Sequence, residues 1–155
     1  MQREVRQKDR VADEEQIQRV LERGEYGVLS TVSPEGSPYG VPLSYWLLNG
    51  EIHFHCATGG HKLDNLAAND QVSFCVVGRP SLMPDKFSTL YESVVVSGRV
   101  SEVPEAAKRA ALEGLLAKYS PGYPTEGAAY IDKLIARARV FKIVAEATSG
   151  KARKA

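Results

Sequence analysis

All three histidines of this 155-residue chain fall within nine residues, in two short runs: His53-Phe54-His55-Cys56 and Gly59-Gly60-His61-Lys62. Two chemistries suit such a group. Imidazole nitrogens with a cysteine sulfur are the donor set of a zinc-type metal. Against that, strand alternation puts His53 and His55 on one face and Cys56 on the other, and no carboxylate pattern completes the set. No metal site is expected. An anion is the second candidate. The two glycines permit close backbone approach, and a helix starting at His61 would present unpaired N–H groups and the positive end of its dipole. His61 and Lys62 then stand where positive side chains are disfavoured, which an anion such as a phosphate would justify. On spacing alone, a plain Gly-rich loop with a solvent-facing lysine is equally compatible. The pattern GxxxxGK[ST] is absent, so this is not a nucleoside triphosphate loop of that kind. Cys56 and Cys75 lie 19 apart, outside CxxC spacing, and alternate with apolar neighbours, as small core residues do. His53 is expected on the sheet surface.

The elements that would hold these residues are legible from periodicity. Asp13 followed by Gln16 is a capping pattern, and Ile17, Val20 and Leu21 mark one helical face, predicting a helix over about 14–23 with Gly24 as its stop. Strands are expected at 26–32, 39–48, from Ile52 to Cys56, 72–77, within 87–103 and at 139–145, six in all. Asn49-Gly50 is a strong hairpin signal because both positions take φ > 0. Pro42 lacks an N–H donor and marks an edge, a bulge or a place where a ligand replaces a strand partner. Helices are expected over about 61–69, after Pro104 with Leu112, Leu115, Leu116 and Tyr119 on the buried face, and around Ile131, Leu134 and Ile135. Most strands are joined by short turns, and the helices cluster late. That order excludes regular βαβ units and predicts one mainly β domain spanning 1–155, a sheet or barrel with peripheral helices.

Bulk properties narrow the function. There are 20 Lys+Arg against 19 Asp+Glu, a net charge of +1, which argues against a dedicated nucleic-acid binder. The charge bias sits at the ends, in Arg3, Arg6, Lys8 and Arg10 and in Lys151, Arg153 and Lys154, read as solvated arms. No apolar run reaches the roughly 18–20 residues that span a bilayer, and the charged N-terminus is not that of a signal peptide. A reduced, cytoplasmic protein without membrane contact is the expectation.

Taken in order, Gly27–Val32, Tyr39-Gly40-Val41-Pro42-Leu43-Ser44-Tyr45, residues 52–66, Val72-Ser73-Phe74-Cys75-Val76-Val77 and residues 90–98 resemble the flavin-binding split-barrel family that includes pyridoxamine 5'-phosphate oxidase. Gly60-His61-Lys62-Leu63-Asp64, Ser73-Phe74-Cys75-Val76-Val77, Lys118-Tyr119-Ser120-Pro121 and Ser149-Gly150-Lys151 resemble its Nim-type, nitroimidazole-resistance-like branch. The resemblance covers about residues 3–154. It implies a six-stranded antiparallel split barrel, a homodimer, and FMN in a groove between protomers. By position, Val41, Pro42, Leu43, Ser44 and Tyr45 would line the flavin ring. His55 and Cys56 would flank the phosphate and ribityl chain, His61 and Lys62 would contact the phosphate, and Ser93 would meet the ring from a later strand. His61 is also the side chain implied to have a chemical role, as phosphate contact or proton donor. Two departures matter. The oxidase proper has Arg-Lys where this chain has His61-Lys62, and its substrate-binding C-terminal signature is missing from Lys151-Ala152-Arg153-Lys154-Ala155. Oxidation of a vitamin phosphate is therefore not expected. The resemblance implies instead an FMN-dependent oxidoreductase that reduces small electron-poor, nitroaromatic-like substrates, with NAD(P)H as donor. The rival readings are a flavin-binding storage or sensor protein without turnover, and a split barrel using a deazaflavin or haem.

Overall fold

A computed structural model describes residues 2–154. Helix α1 (Glu14–Arg23) opens with a complete capping box: the Asp13 carboxylate accepts the Gln16 N–H, and the Gln16 side chain accepts the Asp13 N–H. The strands are β1 (Gly27–Val32), β2 (Pro38–Leu43), β3 (Trp46–Leu48), β4 (Glu51–Cys56), β5 (Gln71–Val77), β6 (Ser81–Met83), β7 (Ser88–Glu102) and β8 (Arg139–Arg153). Between them lie α2 (His61–Ala68), α3 (Glu105–Tyr119) and α4 (Pro124–Leu134). All strand pairs are antiparallel, in the order β2-β1-β5-β7-β8-β4-β3, with β6 folded onto the start of β7. The sheet curls, and its two unpaired edges, β2 and β3, are consecutive in the chain. That gap is the split of the barrel.

Eight strands stand where six are expected. The single strand anticipated over 39–48 breaks at Ser44-Tyr45, because Tyr45 and Trp46 are adjacent yet both fully buried. A regular strand would send them to opposite faces. The corner instead delivers Tyr45 to the barrel core beside Phe74 and Trp46 to a second core under α3 and α4. Gly114 of α3 packs so close to the Trp46 indole that a Cβ there would collide with it. The last strand does not end at Ala145. It continues to Arg153, paired with β7 as far as Tyr91 across a bulge at Ser97/Gly98. Lys151 and Arg153 are therefore strand residues, and Val11 bridges to Lys151, so neither terminus is a free arm over these positions. At Asn49 and Gly50 φ is 53° and 76°, the expected hairpin turn.

Candidate functional site

Helix α2 is seated by its inner face. Leu63 and Leu66 enter the barrel core, and buried Asn65 donates to the buried Thr31 hydroxyl at 3.0 Å. Gly60, with φ 136°, turns the chain into the helix, and no side chain caps it. A Cβ on Gly59 or Gly60 would meet nothing. No side chain caps the first-turn N–H groups, which leaves them available to an anion. The His61 ring stacks on Tyr39 of β2 with centroids 4.0 Å apart, tying the helix start to the barrel edge. Half-buried Lys62 acts on its neighbours through its charge. The His55 pKa is held below its ordinary value by burial first and by Lys62 second, so the imidazole is neutral at pH 7. Burial pushes the Cys56 thiol up, partly offset by Lys62 and Arg139. Cys56 is a protonated member of the barrel core, not a nucleophile.

Continuing the β3–β4 register, in which Trp46 pairs with His53, brings Ser44 opposite His55. Both line a cleft of about 480 Å³ whose far walls are Leu115, Leu116, Tyr119 and Ser120 at the end of α3 and Tyr123, Glu126, Gly127 and Tyr130 at the start of α4. His55 Nδ1 is buried with no hydrogen-bond partner. His53 proves buried rather than surface-exposed: its ring packs against Trp46 and its Nδ1 meets the Glu51 carbonyl at 2.9 Å. Among the described residues no group of three or more His, Cys, Asp or Glu side chains is arranged to hold a metal ion.

Two residues organise the corner: Tyr119, which helical spacing placed on the buried face but which is 37% exposed, and Lys118, which spacing did not single out. The Tyr45 N–H donates to the Tyr119 hydroxyl at 3.1 Å, and that hydroxyl lies 2.6 Å from the Glu25 carbonyl and 2.8 Å from the Tyr45 carbonyl. Lys118 Nζ donates to the Tyr45 carbonyl at 2.8 Å and sits 3.8 Å from the centroid of the Tyr45 ring. Burial lowers the Lys118 pKa to about 8. Only the motif Lys118-Tyr119-Ser120-Pro121 hinted at this role.

The structure brings Val41, Pro42, Leu43 and Ser44 to one barrel edge, with His55, Cys56, His61 and Lys62 beside it. Tyr45 departs from its expected place. Its ring is in the core with its hydroxyl bonded to the Leu21 carbonyl, and both its backbone groups are engaged, so it offers a ligand neither face nor backbone. Ser93 stands apart: on β7 it pairs with Val77 and Lys151, three strands from β2 and so about 14 Å away at the usual strand spacing. His61 does not line the 480 Å³ cleft.

A curled antiparallel sheet with an open edge, flanked by peripheral helices and an uncapped glycine-led helix start, defines a split-barrel protein. Residues 13–152 match the family described as pyridoxamine 5'-phosphate oxidase, and the chain belongs to that family. Among solved structures, it is similar to a Bacteroides thetaiotaomicron protein ascribed to 5-nitroimidazole antibiotic resistance, at 23% identity over 91% of this chain and 85% of that one, with a TM-score of 0.78. A conserved hypothetical protein from Mycobacterium tuberculosis shares 21% identity over 96% and 90% of the two chains, with a TM-score of 0.83. The FAD and heme binding protein from Mycobacterium smegmatis shares 20% over 92% and 72%, with a TM-score of 0.79. At these identities the likeness establishes the fold. No curated protein matches the sequence.

Proposed function

We propose that this protein is a flavin-dependent oxidoreductase that binds FMN at the barrel edge and reduces small electron-poor aromatic compounds. The observation that carries this reading is the open, uncapped start of α2 with Lys62 beside it, in a chain of the pyridoxamine 5'-phosphate oxidase family. The residues fit a phosphate-bearing flavin. The N–H groups after Gly60, the Lys62 ammonium and His61 would hold the phosphate, and Val41, Pro42, Leu43 and Ser44 would border the ring. When bound, the flavin would supply the electron and hydride chemistry, with NAD(P)H as the proposed donor. The chain's own residues fix the phosphate, shape the edge and keep His55 neutral.

A homodimer belongs to the same proposal. Exposed or half-exposed Pro42, Val28, Cys75 and Val95 form one row across the outer face of the sheet, with Val77 57% exposed beside it. Packing a second copy on this small-residue face would remove apolar surface from water and bring its Ser93 toward the first copy's flavin edge. Two reduced thiols suit a cytoplasmic location, and no described helix is long and apolar enough to cross a membrane.

A second reading, a haem-binding split barrel, is favoured by one feature: neutral His55 beside Leu115 and Leu116 at the cleft. The absorption spectrum of the purified protein separates the two, and turnover is tested by adding NAD(P)H with a nitroaromatic acceptor. Flavin bands and accelerated NAD(P)H oxidation support the proposal. Flavin without turnover leaves a storage or sensor protein, and a colourless protein that takes up no FMN refutes flavin binding altogether.

A further inference from the structure

The two basic ends of the sequence meet in the fold. Val11 bridges to Lys151, and the Ala12 N–H donates to the Gly150 carbonyl at 3.0 Å, which sets the short helical turn Lys8–Arg10 beside the end of β8. Gly150 permits this approach, since a Cβ there would strike Ala12 and Ile17. Between the joined segments lies a cavity of about 450 Å³ whose polar lining is Asp9, Arg10, Gln16, Arg153 and Lys154. None of these residues belongs to the barrel edge, the start of α2 or the cleft under α3 and α4. We propose that this cavity binds a small phosphorylated sugar, with Arg10, Arg153 and Lys154 on the phosphate and Asp9 on a sugar hydroxyl.

Unbalanced charge points to the phosphate. Among the described residues four arginines are half-buried: Arg10, Arg19, Arg139 and Arg153. Arg19 meets Glu92, and Arg139 forks onto Glu102. Arg10 and Arg153 have no carboxylate partner among the described residues, and both line this one cavity. A guanidinium keeps its charge, so two of them and an ammonium around one cavity repel each other until an anion enters. Partial removal from water makes that anion more favourable still. The planar fork of an arginine matches the oxygens of a phosphate. The remaining groups point to the sugar. Gln16 Oε1 already accepts the Asp13 N–H at 2.9 Å, which leaves its NH2 group as a donor to the ligand. The Asp9 carboxylate only accepts, so it repels a bare phosphate and favours a ligand that brings hydroxyls. About 450 Å³ falls inside the roughly 300–1,000 Å³ of small-molecule sites and leaves room beside a phosphate for the sugar. This site stands whether or not a flavin binds at the barrel edge.

The test titrates the intact protein with ribose 5-phosphate by calorimetry, beside inorganic phosphate, ribose and a duplex DNA oligonucleotide. Ribose 5-phosphate should bind more tightly than inorganic phosphate or ribose. Arg10→Gln and Arg153→Gln should each weaken it roughly tenfold or more, the loss of one charge-assisted contact. Arg6→Gln, on an exposed residue outside the cavity, should leave it unchanged, as should Lys62→Ala at the start of α2. Asp9→Ala should tighten inorganic phosphate and narrow its gap to ribose 5-phosphate, and Lys154→Gln should weaken both. Asp9 and Lys154 are exposed, so these two variants report on the site even where an arginine variant fails to fold. Absence of ribose 5-phosphate binding, or affinity no better than that of inorganic phosphate, would overturn the assignment. So would affinity lost in Lys62→Ala but kept in Arg10→Gln and Arg153→Gln, or binding of the oligonucleotide alone.

Discussion

Replacing Tyr119 by Phe removes one hydroxyl from the junction of α3, the β2–β3 corner and the segment after α1. The consequences are unequal. The Glu25 carbonyl is exposed and regains a water, and the Tyr45 carbonyl keeps the Lys118 ammonium at 2.8 Å. The Tyr45 N–H alone loses a partner that nothing else supplies. Leaving one such group unsatisfied costs about 1–3 kcal/mol, and a loss of about 1.5 is a conservative value for it. For a chain of this size, about 1.5 kcal/mol corresponds to a Tm lower by roughly 3–6 °C. Scanning calorimetry with urea unfolding measures it, and Tyr123→Phe, on a residue 63% exposed, is the control expected to change nothing. A Tyr119→Phe protein whose Tm stays within about 1 °C of the parent would refute the claim that this hydroxyl secures the corner.

Three further outcomes follow. Lys62→Ala should weaken FMN binding roughly 10- to 150-fold, the loss of a charge-assisted bond worth about 1.5–3 kcal/mol, with Lys62→Arg retaining most of the affinity; flavin-fluorescence titration reads this directly. The Lys118 amine should titrate near 8, visible by NMR after reductive ¹³C-methylation, while a value at the ordinary 10.5 would contradict its enclosure against Tyr45. Because the folded state then binds fewer protons between those values than the unfolded state, Lys118 should make stability rise with pH across that window, and Lys118→Gln should remove the rise. His55 is held low by burial and by Lys62, so inorganic phosphate neutralising Lys62, or Lys62→Ala itself, should raise its pKa in an NMR titration. Its contribution to stability should fall away as pH drops below the ordinary 6.5.

What could be read from the chain was local. The Asp13–Gln16 box, the Asn49-Gly50 turn and the Gly60 entry to α2 are decided within a few residues, and each is where its signal put it. Features decided by distant partners were not legible. Residues 146–153, Glu-Ala-Thr-Ser-Gly-Lys-Ala-Arg, carry almost no β-formers, yet become strand because the edge of β7 pairs with them. Ser81–Met83 is too short and too close to Pro80 and Pro84 to stand out. His53 alternates like a surface residue and is buried only because Trp46 covers it. The candidate site divides the same way. Gly60-His61-Lys62 is contiguous, so its candidacy as an anion site, equal on spacing to a plain loop, could be read locally, whereas the cleft is assembled from Ser44, His55 and residues 115–130, and no window of sequence contains it.

The central claim is that the start of α2 holds the phosphate of a flavin, and the most direct measurement compares FMN with riboflavin on the same protein by calorimetric titration. FMN should bind stoichiometrically and riboflavin at least tenfold more weakly, with Lys62→Ala narrowing the gap. Equal affinity for the two, or no binding of either, would contradict the account.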